Sequence, residues 1–382
     1  MNSPTPTSKR AGGRTVSAAG PWWWPTDAGF TAITALWNYC LMSDSSPSPS
    51  QTRWALIGAS DIAATRIIPA IRTHGGRISV VQSGSADWAA EYAQRHDIDK
   101  WTTSVEEAVS WADVDAVYVS SYNAMHHEQV MAAAKAGKHV LAEKPLALSV
   151  DDAKAMVAAC EAAGLVMATN HHLPSSPVHI AMKEIVASGE IGRVRAIHVS
   201  HAVGLPDHLR GWRVNDPVGG GVVLDVFIHD MAAVAAIIGG QAQTVRALAR
   251  TGSDVPAAPD SVMTVVEWSG DVIVQTHDAY DNYDLPTSLD ILGDQGAVSS
   301  VMSMTGDPVG DVTIHHGTVA TPVVIPDRTD LYLSTIRAFD DAIHRGVQPR
   351  VTGLDGVRSL AAAMAALEAL QTGCAAQVEQ IP

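Results

Sequence analysis

The chain is expected to fold as an α/β unit with a doubly wound parallel sheet, followed by an α+β unit with a large, open, mainly antiparallel sheet. Three observations predict this. Short, wholly apolar runs alternate with helical patterns between Trp54 and Ala168. A turn of small residues, Gly58-Ala59-Ser60-Asp61-Ile62-Ala63, follows the first apolar run. After Asn170 the alternation stops and closely spaced strand-like segments take over. Strands and helices alternating at such spacing indicate βαβ units. A parallel sheet is covered on both faces, so its strands are apolar throughout rather than every second residue.

The elements follow in order. Trp54–Ile57 is the first buried strand, and a helical pattern through Arg66, Ile67, Ile68, Ala70 and Ile71 ends at Gly75-Gly76. Ile78–Val81 is a strand and Ala86–Gln94 a helix. Val114–Val119, Val140–Ala142 and Val166–Ala168 are further buried strands, separated by helices Glu128–Ala136 and Val150–Ala163. In the second unit, helix Pro177–Ser188 ends at Gly189. Strands are expected at Val194–Val203, Thr244–Arg250, Val262–Trp268, Val272–His277, Leu289–Leu292, Val298–Met302, Val312–His315 and Val319–Ile325. Helices Asp330–Ile343 and Leu354–Thr372 close the chain, the second rich in alanine, a strong helix former. The division reads as 51–170 for the first unit and 171–382 for the second, with no internal repeat.

Composition narrows the function. The 382 residues carry 25 Lys+Arg against 40 Asp+Glu, a formal charge of −15. No basic excess exists to displace counterions, so nucleic acid is an unsuitable partner. Nothing approaches 18 uninterrupted apolar residues, which excludes a membrane-spanning helix. Three widely spaced cysteines, Cys40, Cys160 and Cys374, form neither a disulfide framework nor a zinc-binding spacing, so a reducing, cytoplasmic setting is expected. No metal is called for. Residues 1–50 stand apart: Pro25, Thr26 and Asp27 interrupt the one stretch that could be a signal-peptide centre. They read as a disordered extension, or Met42 as the biological start.

The turn after the first strand is where a dinucleotide would bind. Small residues let the backbone approach a pyrophosphate, and the helix N-terminus offers free N–H groups and a positive dipole end. The usual G-x-G-x-x-G/A spacing reads here Gly58-x-Ser60-x-x-Ala63, which by itself also suits an ordinary tight turn. At the end of the second strand, Gln82-Ser83-Gly84-Ser85 carries no carboxylate for a ribose 2′-hydroxyl, so a 2′-phosphate is not repelled. NADP(H) is therefore favoured, with NAD(H) open because no Arg or Lys follows closely.

Four segments together resemble the glucose–fructose oxidoreductase and inositol dehydrogenase family. They are the start at 53–63; Asn123-x-x-His126 with Ala134-Lys135-Ala136-Gly137-Lys138-His139-Val140; Glu143-Lys144-Pro145; and Gly219-Gly220-Gly221-x-x-x-Asp225-x-x-x-His229. The resemblance spans about residues 52–382 and implies a Rossmann domain and nicotinamide-dependent hydride transfer at a sugar or polyol carbon. It implies that Lys144 touches both cofactor and substrate oxygen, that His229 is the acid/base, and that Asp225 orients His229 or binds a substrate hydroxyl. His171 is a further substrate-side candidate, with plain loop residues the alternative at His171-His172. For the cofactor it implies Gly58, Ala59, Ser60, Asp61 and Ile62 at the pyrophosphate turn and Ser83 and Gly84 at the adenosine ribose. Ser121, Tyr122, Asn123, His126, Glu143, Lys144 and Asn170 would line the nicotinamide half, with Trp212, Arg213 and Tyr332 reaching it from the second unit. Trp88 stands where an Arg would grip a 2′-phosphate, and Ala232 where an acidic residue often follows the histidine.

The expected activity is reduction of a sugar ketone such as 1,5-anhydro-D-fructose by NADP(H). The alternatives are oxidation of another sugar or inositol hydroxyl, and a sugar-sensing protein without catalysis. The joint presence of Lys144, Asp225 and His229 favours an enzyme. The open second sheet needs its face covered, and a homo-oligomer would supply that.

Overall fold

The structure is a computed structural model and describes residues 52–250, 258–282 and 284–382. The reading of residues 1–50 lies outside them.

Six parallel strands form the first sheet: β1 (Arg53–Ile57), β2 (Arg77–Gln82), β3 (Trp101–Thr102), β4 (Ala116–Val119), β5 (His139–Ala142) and β6 (Met167–Thr169). Their order is β3-β2-β1-β4-β5-β6, so the chain reverses direction across the sheet between β1 and β4. The alternation in β1 shows why the strands are apolar throughout. Trp54 and Leu56 point into one buried cluster, Ala55 and Ile57 into another on the opposite face. Helices α1 (Ile68–Thr73), α2 (Ala86–Arg95), α3 (Val105–Ser110), α4 (His126–Lys135) and α5 (Val150–Ala162) connect the strands. β3 and α3 had no counterpart in the sequence reading; two strand residues and six helical ones are too few to show a period.

The second sheet has nine strands in the order β14-β13-β12-β11-β7-β10-β9-β8-β15. They are β7 (Val194–Ala202), β8 (Ala242–Arg250), β9 (Ser261–Trp268), β10 (Val272–Ala279), β11 (Ser288–Gly293), β12 (Ala297–Val301), β13 (Asp311–His316), β14 (Val319–Val323) and β15 (Ala376–Gln377). All neighbours are antiparallel except β7 and β10, whose parallel pairing places His201 beside Asp278. In β9, Val262, Thr264, Val266 and Trp268 face inward while Met263, Val265 and Glu267 face out. This alternation marks a sheet with one packed face. Helices α6 (Pro177–Ser188), α8 (Ile228–Ile238) and α10 (Gly353–Thr372) contribute the packed layer. Helix α7 (Asp207–Asn215) buries no residue fully and is kinked at Gly211, which explains why it lacked an apolar period.

Two connections tie the sheets into one body. Helix α9 (Leu331–Arg345) returns to the first sheet, where Phe339 packs on Trp54 with ring centres 5.3 Å apart. Thus the unit expected over 171–382 gives one helix to the other sheet. Helix α10 starts in a capping box between Thr352 and Asp355 and crosses β6 closely enough that a Cβ at Gly356 would meet Thr169 Oγ1 at 2.1 Å. Among the described residues no helix is long and apolar enough to cross a membrane.

Candidate active site

The crevice outside the C-terminal ends of β1 and β4, at the reversal of strand order, is where an open α/β sheet binds its ligand. Gly58 stands there with φ +104°, and a Cβ would meet Ser121 N at 2.7 Å and Ser120 C at 2.8 Å. Only glycine allows both the conformation and the approach. The Ser60 hydroxyl caps Ala63 N at 3.2 Å and lies 2.7 Å from Ser120 Oγ, which shapes the turn through Ala59, Asp61 and Ile62. A π-helical turn, Ala63–Ile67, then leads into α1. This backbone fits a dinucleotide pyrophosphate. Ser83 and Gly84 follow β2, and a Cβ at Gly84 would meet only open space. The Trp88 indole donates to Ala59 O at 3.0 Å and lies beneath the Arg95 guanidinium at 5.3 Å. The tryptophan therefore braces the turn from α2.

Lys144 follows β5 directly. Its Nζ donates to Asp225 O at 2.6 Å and to Asp225 Oδ1 at 2.7 Å. Asp225 Oδ2 accepts from Arg213 Nε and from Tyr280 OH, each at 3.0 Å. Burial alone would push this carboxyl up, but Lys144 and Arg213 outweigh it and hold the group below the usual carboxylate range. The result is an ionised carboxylate with two cations and a phenol around it, at the sheet end where substrate would sit.

His229 lies on α8, in a nest of imidazoles. Its Nδ1 is 3.1 Å from His171 Nδ1, and the His172 ring stands edge-on to it at 4.5 Å. His172 in turn stacks on Tyr332 at 5.4 Å. Burial first, then Lys144 and the neighbouring imidazoles, push the His229 pKa well below the ordinary value. Glu143 accepts from Tyr118 OH and, at 2.5 Å, from Asn170 Nδ2; burial raises its pKa despite these bonds.

Several expected residues sit differently. Asp225 does not hold His229. The π-helical turn Val223–Phe227 precedes α8, and π geometry pairs residues five apart rather than four. His171 performs the holding instead. It is fully buried with both ring nitrogens on protein groups, His229 on one side and Ser359 on the other. His126 is also fully buried, its nitrogens 3.0 Å from Pro145 O and 3.1 Å from Ser121 O. Through Pro145 O it supports the loop that carries Lys144. Ser121 bonds Gln129, Asn123 bonds Gly219 O at 3.1 Å, and Tyr122 is largely exposed at the mouth. Trp212 lies 4.8 Å under the Arg213 guanidinium, and Arg213 itself serves Asp225. Tyr280, Ser359, His201 and Asp278 were not foreseen; His201 and Asp278 are buried with Asp230, the neighbour of His229 in the chain. Each is brought in by strand pairing or helix packing over long separations, and no local spacing announces them.

Residues 52–171 match the family model described as oxidoreductase family, NAD-binding Rossmann fold, and residues 179–299 match the GFO/IDH/MocA C-terminal domain. The chain belongs to the GFO/IDH/MocA oxidoreductase family. A 1,5-anhydro-D-fructose reductase of Ensifer adhaerens is 44% identical over 329 residues, covering 86% of this chain and 98% of that protein. A D-xylose 1-dehydrogenase (NADP(+)) of Haloferax volcanii is 26% identical, covering 85% and 99%. Among solved structures, a 3-ketoreductase of Actinomadura kijaniata in complex with NADP and TDP-benzene superposes with a TM-score of 0.74 at 26% identity, over 85% of this chain and 98% of that one. An aldose–aldose oxidoreductase of Caulobacter crescentus, TM-score 0.78 at 24% identity over 86% and 99%, shares the fold. This family member is an enzyme, a nicotinamide-dependent oxidoreductase acting at the CH–OH or C=O of a sugar or polyol.

Proposed function

We propose that the protein reduces a sugar ketone, 1,5-anhydro-D-fructose or a close analogue, with NADP(H). The observation that carries this reading is the convergence of Lys144, Asp225 and His229 at the end of β5, in a chain 44% identical to a reductase of that sugar. Bound reduced nicotinamide supplies the hydride. Ala59, Ser60, Asp61 and Ile62 would hold the pyrophosphate, and Ser83 and Gly84 the adenosine ribose. Lys144 places a cation at the ketone oxygen as negative charge develops there. His229 gives that oxygen its proton. Asp225 keeps Lys144 and Arg213 in place and accepts from a substrate hydroxyl.

NADP(H) is favoured because Gln82–Ser85 offers no carboxylate, and the relatives named above include NADP-linked proteins. The outward face of the second sheet carries exposed Met263, Val265 and Ile273, which a second copy of the chain would cover. Sedimentation would test that pairing: a monomer at micromolar concentration would exclude it. The reaction itself is tested by screening ketoses with NADPH and NADH at the nicotinamide absorbance. Turnover of 1,5-anhydro-D-fructose well above that of other ketoses is expected. Turnover of a polyol with oxidised cofactor but of no ketose with reduced cofactor would replace the reading with a dehydrogenase.

A further inference from the structure

Two buried side chains lie in line behind the ring of His229. Ser359, on α10, donates to Gly356 O at 3.0 Å. The same hydroxyl oxygen lies 3.0 Å from His171 Nε2, and His171 Nδ1 lies 3.1 Å from His229 Nδ1. All three side chains are buried, and the His171 and His229 rings meet edge-on, 5.0 Å between centres.

The protons in this line follow from where the serine hydroxyl places its hydrogen. A serine hydroxyl has one hydrogen, and here it goes to the Gly356 carbonyl. Ser359 Oγ therefore has only lone pairs to offer, so His171 Nε2 carries the hydrogen between them. Neutral His171 then has a bare Nδ1, which accepts. The contact of 3.1 Å to His229 is a hydrogen bond only if His229 Nδ1 carries its hydrogen. Neutral His229 is left with a lone pair on Nε2, the nitrogen without a protein partner among the described residues. We propose that His171 is a positioning residue that, set by Ser359, fixes the tautomer of His229 so that Nε2 is the nitrogen exchanging a proton with the substrate.

This inference rests on His229 being the acid/base of the proposed reaction. It adds a direction. At rest the site accepts a proton at Nε2, as carbinol oxidation requires. Reduction requires Nε2 to be loaded first; the imidazolium then still donates from Nδ1 to His171, and passing its Nε2 proton to the substrate oxygen returns the neutral ring. The groups facing His229 are Lys144, His171, His172 and His201, and all but His171 are untouched by the chain Ser359–His171. Burial, then Lys144, takes His171 itself down to about 3, so it stays neutral and keeps its accepting Nδ1 across the working range.

Nitrogen-15 imidazole spectra of the whole chain, without substrate, separate hydrogen-bearing from bare ring nitrogens. In the parent, His229 should show hydrogen on Nδ1 and a bare Nε2. Ser359→Ala frees the choice at His171 and should yield a mixture of His229 tautomers, together with a fall of about ten-fold in kcat for carbinol oxidation, since wrong-tautomer losses in histidine catalysis are of that size or larger. His171→Asn, whose amide oxygen can accept at the Nδ1 position, should retain more activity than His171→Phe. A parent His229 with bare Nδ1, or a Ser359→Ala variant with unchanged tautomer and unchanged pH–rate profile, would overturn the proposal. The two readings fail separately: His229→Asn with unaltered turnover would remove the acid/base assignment, while the spectra would still report whether His171 sets the ring.

Discussion

Lys144→Ala probes the cation at the reacting oxygen. In the structure Lys144 Nζ makes two short contacts to Asp225, at 2.6 and 2.7 Å, while Arg213 and Tyr280 hold the other carboxylate oxygen at 3.0 Å each. Removing Nζ therefore leaves Asp225 ionised and still paired on one side. A hydrogen bond to a charged group contributes about 1.5–3 kcal/mol, so stability should fall by an amount of that order and the fold should persist. Catalysis should suffer more. A preorganised donor at a developing oxyanion contributes about 2.7–4 kcal/mol, or roughly 100- to 1000-fold in kcat. Steady-state rates at saturating ketone and reduced cofactor give kcat, urea unfolding gives stability, and nicotinamide fluorescence gives cofactor affinity. A kcat within about ten-fold of the parent, with cofactor affinity unchanged, would refute the assignment of Lys144 to the oxygen.

Other perturbations test other links. Gly58→Ala combines a forbidden φ with contacts to backbone atoms that cannot give way; it should destabilise the chain by about 1–3 kcal/mol and weaken cofactor binding, and urea unfolding with and without NADPH would show both. Trp88→Arg removes the brace on Ala59 O and adds a cation beside the ribose, so the NADPH-to-NADH affinity ratio should rise about ten-fold or more; a ratio that does not rise would place the 2′-phosphate elsewhere. Burial pushes Asp230 up to about 8, and burial together with Asp230 pushes Asp278 well above its ordinary value. The folded chain then binds more protons than the unfolded chain between about pH 4 and 8, and this pair loses stabilising effect as pH rises through that window. Buried His171 and His201, down to about 3 and about 4, act in the opposite sense, losing stability as pH falls below 6.5. Asp278→Asn should therefore gain on the parent as pH rises from 4 to 8 in thermal melts, and a pH-independent difference would contradict the raised ionisation of this pair.

Much of the first unit was legible because its strands are buried on both faces and its turn needs a glycine: β1, β2, β4, β5 and β6 fall within one or two residues of the apolar runs, and Gly58 sits at the reversal of strand order. The second sheet was legible from the close spacing of its strand-like segments, though not the parallel pairing of β7 with β10, which depends on which strands meet in space. Lys144, Asp225 and His229 were named from motif spacing, but the partners that set their chemistry were not. Tyr280 and Arg213 reach Asp225 from a strand and a kinked helix, and His171 reaches His229 from β6's end with Ser359 of α10 on its other ring nitrogen. The resemblance left Asp225 either orienting His229 or binding a substrate hydroxyl, and the π turn at Val223–Phe227 leaves its carboxylate on Lys144, Arg213 and Tyr280. Trp88, unexplained as an isolated letter, becomes a brace once Ala59 O is seen within reach.

The measurement closest to the central claim is the pH–rate profile of ketone reduction in the parent and in His229→Asn, at saturating reduced cofactor. A proton donor must be loaded, so the parent rate should fall as pH rises through a group ionising below the ordinary imidazole value, in keeping with the burial of His229 beside Lys144. In the Asn variant that limb should vanish, with kcat lower by about 100-fold or more and cofactor affinity retained. The same limb at a similar rate in His229→Asn would contradict the account and turn attention to Asp230 or a bound water as the proton source.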